Sequence, residues 1–294
     1  MMTKNRSTRV DAVNAALFLT PSLLLFIVFI VVPTLAVLAL SFFSWDFFSD
    51  PAFVGVANFV RLFSDPQAGQ ALGVTMVYLL LGVIPTVIIG FLLAVLVNAN
   101  IPGIGVLRVL YFIPVVVSVA VSAVLWTFLY NPQQGPLSAL LHVFGIHAPN
   151  FLSSTTLALP AIVIMMIWNS LPIVIVLYIA GLQRIPDDIY AAAALDGAGP
   201  WRVLWTMTWP NVSSTTVLVG VLQIINFTAG SLELSLIMTK GGPLGSTTAL
   251  GLYAYQEAFL HQDVGYASVL SVVQMVLIIS LVVIGRTVAL RRTT

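Results

Sequence analysis

Six long apolar runs constrain this chain before anything else does: they lie near 15–41, 71–97, 105–130, 156–182, 212–238 and 265–287. Crossing about 30 Å of hydrocarbon at 1.5 Å per helical residue takes roughly 20 apolar residues, and every run is longer than that. Composition points the same way. Apolar residues make up 60% and charged residues 7% of the chain, against about 25% charged in soluble domains, so a normally polar surface cannot be assembled. The expected fold is an all-α membrane protein with six transmembrane helices, forming a single transmembrane domain over 1–294 without an appended catalytic domain. Lys4, Arg6 and Arg9 ahead of the first run resemble the head of a secretion signal. The run is too long for that, however, and the stretch from Ser41 to Trp45 lacks a small-residue cleavage pattern, so it is read as an uncleaved first span.

Cationic residues are retained on the cytoplasmic side of short connections. One set of span ends carries Lys4, Arg6, Arg9, Arg108, Arg184, Arg202, Arg286, Arg291 and Arg292, whereas the opposite loops, near 42–70, 131–155 and 239–264, hold Arg61 and Lys240. Both termini and the stretch 185–210 are therefore expected in the cytoplasm. Trp45, Tyr130, Tyr253, Tyr255 and Tyr266 near the outer junctions read as an interfacial aromatic belt.

Several chemistries are excluded. With no cysteine, disulfides, thiolate catalysis and Cys-ligated metal or iron–sulfur sites are absent. His142, His147 and His261 lack metal-ligand spacing and read as surface histidines. No G-x-x-x-x-G-K-[ST] phosphate loop occurs, so ATP-driven transport would need a separate ATPase. A net charge of +1 gives no reason to expect nucleic acid, and no internal repeat supports an inverted-repeat carrier.

One stretch has no evident place in a bilayer: IPDDIYAAAALDGAGPWRVLWTMTWP, residues 185–210. Pro186 suits a first helical turn, and Asp187 and Asp188 complement the positive end of the helix dipole. Tyr190, Ala191 and Ala192 lead an alanine run that propagates the helix. Gly197 can adopt the left-handed conformation that stops it, and Gly199-Pro200 starts another. The second helix presents Trp201, Leu204, Trp205 and Thr208 on neighbouring turns, with Pro210 expected to stop it. Such a helix-turn-helix is either an interfacial membrane helix or a docking surface for a protein; the residues alone leave both open.

The same stretch resembles the cytoplasmic loop of the membrane permease subunits of binding-protein-dependent ATP-binding-cassette importers. That family's pattern is Glu-Ala-Ala, two variable residues, Asp-Gly-Ala, then a helix ending in proline; here stand Ala191-Ala192-Ala193, Asp196-Gly197-Ala198 and Pro210. Ala180 to Pro186, Thr239-Lys240-Gly241-Gly242-Pro243 and Tyr255 to Phe259 are similar to the carbohydrate branch, of maltose and glycerol-phosphate type. Ala191 replaces the glutamate, Leu204 the usual aromatic, and Trp205 and Thr206 the basic positions. The resemblance implies that this loop is the coupling helix seated in the ATPase, with Tyr190, Ala191, Ala192, Asp196, Gly197, Ala198, Trp201 and Leu204 at the contact. A charge-assisted hydrogen bond is worth roughly 1.5 to 3 kcal/mol, and without the glutamate the seating is expected to be more apolar, through Tyr190, Trp201 and Leu204. It also implies ATP and Mg on partner ATPase subunits, a second, non-identical permease subunit and an extracytoplasmic solute-binding protein.

For the solute path, Gln223, Asn226, Gly230 and Glu233 recur on one helical face of the fifth run over about 15 Å. Glu233 is the sharpest of these, because an ionisable group within a span needs water or a partner; substrate contact and pairing with another subunit both fit. In the fourth run Trp168 and Asn169 could hold a carbohydrate by ring face and amide, and packing between helices accounts equally well for Asn169 and Ser170. No residue reads as a catalytic acid or base. The expected protein is a non-enzymatic, multi-pass permease of the bacterial or archaeal cytoplasmic (inner) membrane, importing a sugar, polyol or related solute by alternating access. A permease for a non-carbohydrate solute and a stand-alone secondary transporter are the alternatives.

Overall fold

The computed structural model describes residues 16–98 and 104–290. Of the cations used for orientation, Lys4, Arg6, Arg9, Arg291 and Arg292 lie outside these residues, as does the Arg108 side chain. In chain order, helix α1 (Ala16–Leu40) is followed by a two-stranded antiparallel hairpin, β1 (Phe43–Ser44) and β2 (Ala52–Phe53), and then by the short α2 (Ala57–Ser64). Next come α3 (Pro66–Asn98), α4 (Ile104–Val116), α5 (Val119–Leu129), α6 (Pro136–Val143), α7 (Ala158–Leu182) and α8 (Asp187–Leu195). The helical stretch 200–211, here α9, joins Pro200–Val203, a π-helical turn at Leu204–Thr208 and Trp209–Asn211; α10 (Ser213–Met238), α11 (Leu250–Phe259) and α12 (Val264–Leu290) complete the chain.

Five of these helices are long and apolar enough to cross a membrane: α1, α3, α7, α10 and α12. They match five of the six expected runs, although α3 begins at Pro66 rather than near 71. The run 105–130 differs. It breaks at Val117–Ser118 into α4 and α5, of 13 and 11 residues, about 20 and 17 Å long, each too short to cross alone. Ser118 adopts an extended backbone (φ −61°, ψ 148°) as the N-cap of α5, and its carbonyl accepts from Ser122 N–H at 2.9 Å. Hydropathy cannot register this break, because the valines around it are as apolar as an unbroken span.

Prolines leave a local mark. In α1 the turn Ile27–Val31 is π-helical, with Val32 N–H reaching Ile27 O. It directly precedes Pro33, which donates no hydrogen bond and crowds the carbonyl four residues back; the widened turn relieves both effects. The same arrangement precedes Pro210: Trp209 N–H bonds Leu204 O, and the helix continues to Asn211 instead of stopping at the proline as its sequence suggested. Pro85, Pro114 and Pro172 lie inside α3, α4 and α7.

The chain divides into two compact units. One contains the residues up to Ser64 and Ala254–Val272; the other contains Asp65–Tyr253 and the residues from Val273 onward. In the first unit, α2 and the hairpin pack with the start of α12, while no side chain in the apolar window of α1 is buried. In the second, α3, α7 and α10 pack around two buried clusters. One is built on Tyr78, Ile162, Met165 and Phe227, the other on Phe91, Val174, Ile175 and Tyr178. Polar ties are sparse: the Tyr78 hydroxyl shares a 2.7 Å hydrogen bond with Ser235 Oγ, Tyr178 donates to Thr216 Oγ1 at 3.3 Å, and Leu250 N–H donates to Thr75 Oγ1 at 2.9 Å.

Candidate functional site

The loop between α7 and α10 is built by local backbone chemistry. Pro186 holds an extended conformation before α8, and Asp187 and Asp188 occupy the acid-favouring first turn. At the other end, Gly197 has φ +67°. Its N–H bonds Ala194 O at 3.1 Å while Ala198 N–H bonds Ala193 O at 3.0 Å, the paired bonds of a Schellman cap. Gly199 then caps α9 and Pro200 takes its first turn. The Asp-Gly-Ala sequence is thus a tight corner between two helices.

The two helices present unequal faces. Tyr190 and Leu204 are half-buried and turn inward, lining a cavity of about 380 Å³ with Val95 and Asn98 at the end of α3 and Leu182 at the end of α7. The Tyr190 hydroxyl comes within 3.4 Å of Thr208 Oγ1. Ala191, Ala192, Asp196 and Gly197 are exposed, Ala198 is half-buried, and Ala193 is buried. Leu195 is 90% exposed and Trp201 71%; the sequence reading passed over Leu195, whose outward position follows only from where the Schellman corner leaves it. On α9, Trp201 meets Trp205 edge-on and Trp205 meets Trp209 at a tilt, each pair 5.7 Å apart, and Trp209 meets the buried Phe91 of α3 edge-on at 4.6 Å. Phe91 in turn packs on Tyr178 of α7 at 5.6 Å.

The expected polar stripe on α10 is partly turned away from the surface. Gln223 is buried; Asn226 and Glu233 are exposed and Gly230 is half-buried. Asn226 Nδ2 donates to Ser170 Oγ at 2.8 Å, and Ser170 donates to Met166 O at 2.8 Å. Glu233 makes no ion pair or hydrogen bond among the described residues. Asn169 is half-buried. Trp168, about 200° around α7 from Ser170, lines an apolar cavity of about 260 Å³ with Tyr111 and Pro114 and packs on Trp126 at 5.6 Å. The structure therefore unites Ser170 with Asn226 and leaves Trp168 on another face. Among the described residues no group of three His, Cys, Asp or Glu side chains could hold a metal ion.

Comparison with known proteins identifies the chain. The family described as binding-protein-dependent transport system inner membrane component matches residues 10–293. The chain belongs to that family. It is a multi-pass membrane permease, a non-enzymatic subunit of an ABC importer whose ATPase is a separate polypeptide. The permease is 30% identical to the trehalose/maltose transport system permease protein MalF of Thermococcus litoralis over 269 residues, covering 91% of this chain and 90% of the relative. It is also 30% identical to the sn-glycerol-3-phosphate transport system permease protein UgpA of Agrobacterium fabrum over 266 residues, with 90% of each covered. In fold it is similar to a chain of the bacterial alginate ABC transporter solved with an alginate pentasaccharide-bound periplasmic protein. The TM-score is 0.84 at 19% identity, with 98% of both chains covered; that likeness concerns the fold alone.

Proposed function

We propose that residues 1–294 act as one of two non-identical permease subunits in an ATP-driven importer of a sugar, polyol or related solute. In this reading α4 and α5 together supply the sixth crossing, both termini are cytoplasmic, and α8, the Schellman corner and α9 form the coupling helix. A solute-binding protein delivers the solute on the outside, and ATP with Mg is bound by the partner ATPase. The relatives' transport of trehalose, maltose and glycerol 3-phosphate supports the substrate class.

The observation that carries this reading is the construction of the loop. Its outward surface is small and smooth at Ala191, Ala192 and Gly197, with Leu195 and Trp201 at the rim, while Tyr190 and Leu204 face the ends of α3 and α7 and Trp209 meets Phe91 of α3. A push on α8 would therefore reach α3 through Trp209 and Phe91, and α10 through the one-residue connection at Val212. Alternating access follows if ATPase closure moves the loop and tilts these spans. Asn226, Gly230 and Glu233, with Asn169, are proposed to line the path, since an exposed carboxylate on a span needs water or a polar partner, whereas Gln223, buried within the chain, is proposed as a packing residue. Trp168, turned to an apolar cavity, enters the proposal as a packing residue.

The test is a pair of substitutions in the reconstituted importer. Gly197→Asp should abolish ATPase assembly or solute transport, and Ala191→Glu should preserve both. Wild-type transport by the Gly197→Asp protein would remove the coupling assignment.

A further inference from the structure

The short helix α2 has two faces that meet different surroundings. On one, Asn58 Nδ2 donates to the carbonyls of Ser41 at 3.1 Å and Phe43 at 2.9 Å, directly after α1 ends. Arg61 pairs with Asp263, one residue before α12 begins, and lies 3.4 Å from the nearly buried Glu257. Its guanidinium also sits 3.8 Å above the Tyr266 ring. Phe59 packs on Phe42 at 5.3 Å. The start of α12 approaches the hairpin so closely that a Cβ on Gly265 would clash with Phe43 O, so the junction requires glycine. Together these contacts hold α2 at the level where α1 ends and α12 begins.

The other face is apolar and uncovered. Val56, in the turn that leads into α2, and Val60 and Phe63 of α2 recur at i, i+4 and i+7, one stripe, and are 61%, 63% and 90% exposed. At span-end depth such a stripe does not face bulk water at equilibrium if lipid is within reach, because apolar surface partitions into the acyl boundary. Lipid is within reach: α1, beside whose end at Ser41 α2 is bonded, exposes apolar side chains such as Phe18, Phe29 and Leu35 along its length. The charged groups on the inner face are paired within the protein, Arg61 with Asp263 and Glu257 and Glu257 with His261, so the apolar stripe is left as the outward-facing element.

We propose that α2 is an interfacial helix lying in the membrane plane, with Val56, Val60 and Phe63 set into the boundary between headgroups and acyl chains, and that it ties the ends of the first and last spans to the bilayer surface. This goes beyond the importer reading and does not depend on the coupling loop. The chain's lack of cysteine makes the test direct. Val60→Cys and Phe63→Cys, each spin-labelled in the assembled importer in phosphatidylcholine nanodiscs, are compared with Phe29→Cys in mid-span and with a soluble nitroxide. Collisions with oxygen relative to a water-soluble nickel chelate should exceed those of the soluble nitroxide several-fold, approaching the Phe29→Cys value. A ratio near that of the soluble nitroxide would place the stripe in water, and low access to both reagents would place it under a protein partner; either result overturns the proposal. Should the labelled Phe63→Cys protein fail to assemble, Val56→Cys reads the same stripe.

Discussion

Gly197 is a position where folding and the proposed docking can be tested apart. A side chain there would strain the left-handed backbone by about 1 to 2 kcal/mol, yet a Cβ would meet nothing within 4 Å inside the chain. Gly197→Asn, which tolerates that conformation, should therefore leave the subunit folded, and the loss expected for Gly197→Asp should arise at the partner's surface. Circular dichroism of both variants, set beside ATPase co-purification, checks this. Asp46 offers a different residue-scale test. Its carboxylate accepts from the Ser49 hydroxyl and N–H, each at 2.7 Å, and from Phe48 N–H at 3.0 Å, and these bonds, the Ser49 hydroxyl first, lower its pKa to about 2. A depressed carboxylate stabilises the fold above its unfolded value of 3.8 and loses that contribution as pH falls through about 2. Protection of the Phe48 and Ser49 amides, corrected for intrinsic exchange, should thus decline between those values, and Asp46→Asn should show the reduced protection already at pH 7. The Schellman corner was legible from Asp196-Gly197-Ala198 because cap chemistry is local. The inward turn of Tyr190 and Leu204 was not, because it depends on the ends of α3 and α7, more than 90 residues away for Val95.

At the level of elements, apolar length predicted five spanning helices well, since hydrocarbon thickness acts on each run separately. It missed the break at Val117–Ser118, where a serine N-cap interrupts an unchanged hydropathy, and it missed α2 and α11, which distant pairs such as Arg61–Glu257 join. Proline chemistry, in turn, suggested an end to the second loop helix at Pro210, where a π-helical turn carries α9 past the proline. That continuation matters because it brings Trp209 onto Phe91. Trp209→Ala removes a large side chain from this contact and should cost about 3 kcal/mol, measurable by denaturant titration in detergent. It should also lower solute transport per ATP hydrolysed, whereas Trp209→Phe, which keeps a ring against Phe91, should retain most of the coupling.

For the whole molecule, the sequence carried the class of protein and the family, because membrane solvation dictates composition over the full length and the loop signature is dense in glycine and proline. The proposed lining of the solute path was less legible: helical periodicity placed Gln223, Asn226, Gly230 and Glu233 on one face, but burial of Gln223 and the bond from Asn226 to Ser170 depend on how α7 meets α10. The central proposal is that this permease couples external solute to ATP hydrolysis elsewhere in a complex. The most direct measurement is to purify the complex through this chain from native membranes and assay ATP hydrolysis in proteoliposomes with its solute-binding protein, empty and loaded. An ATPase and a second permease should co-purify, with hydrolysis rising on addition of the loaded binding protein. Solute uptake by this chain alone, or hydrolysis indifferent to solute, would contradict the account.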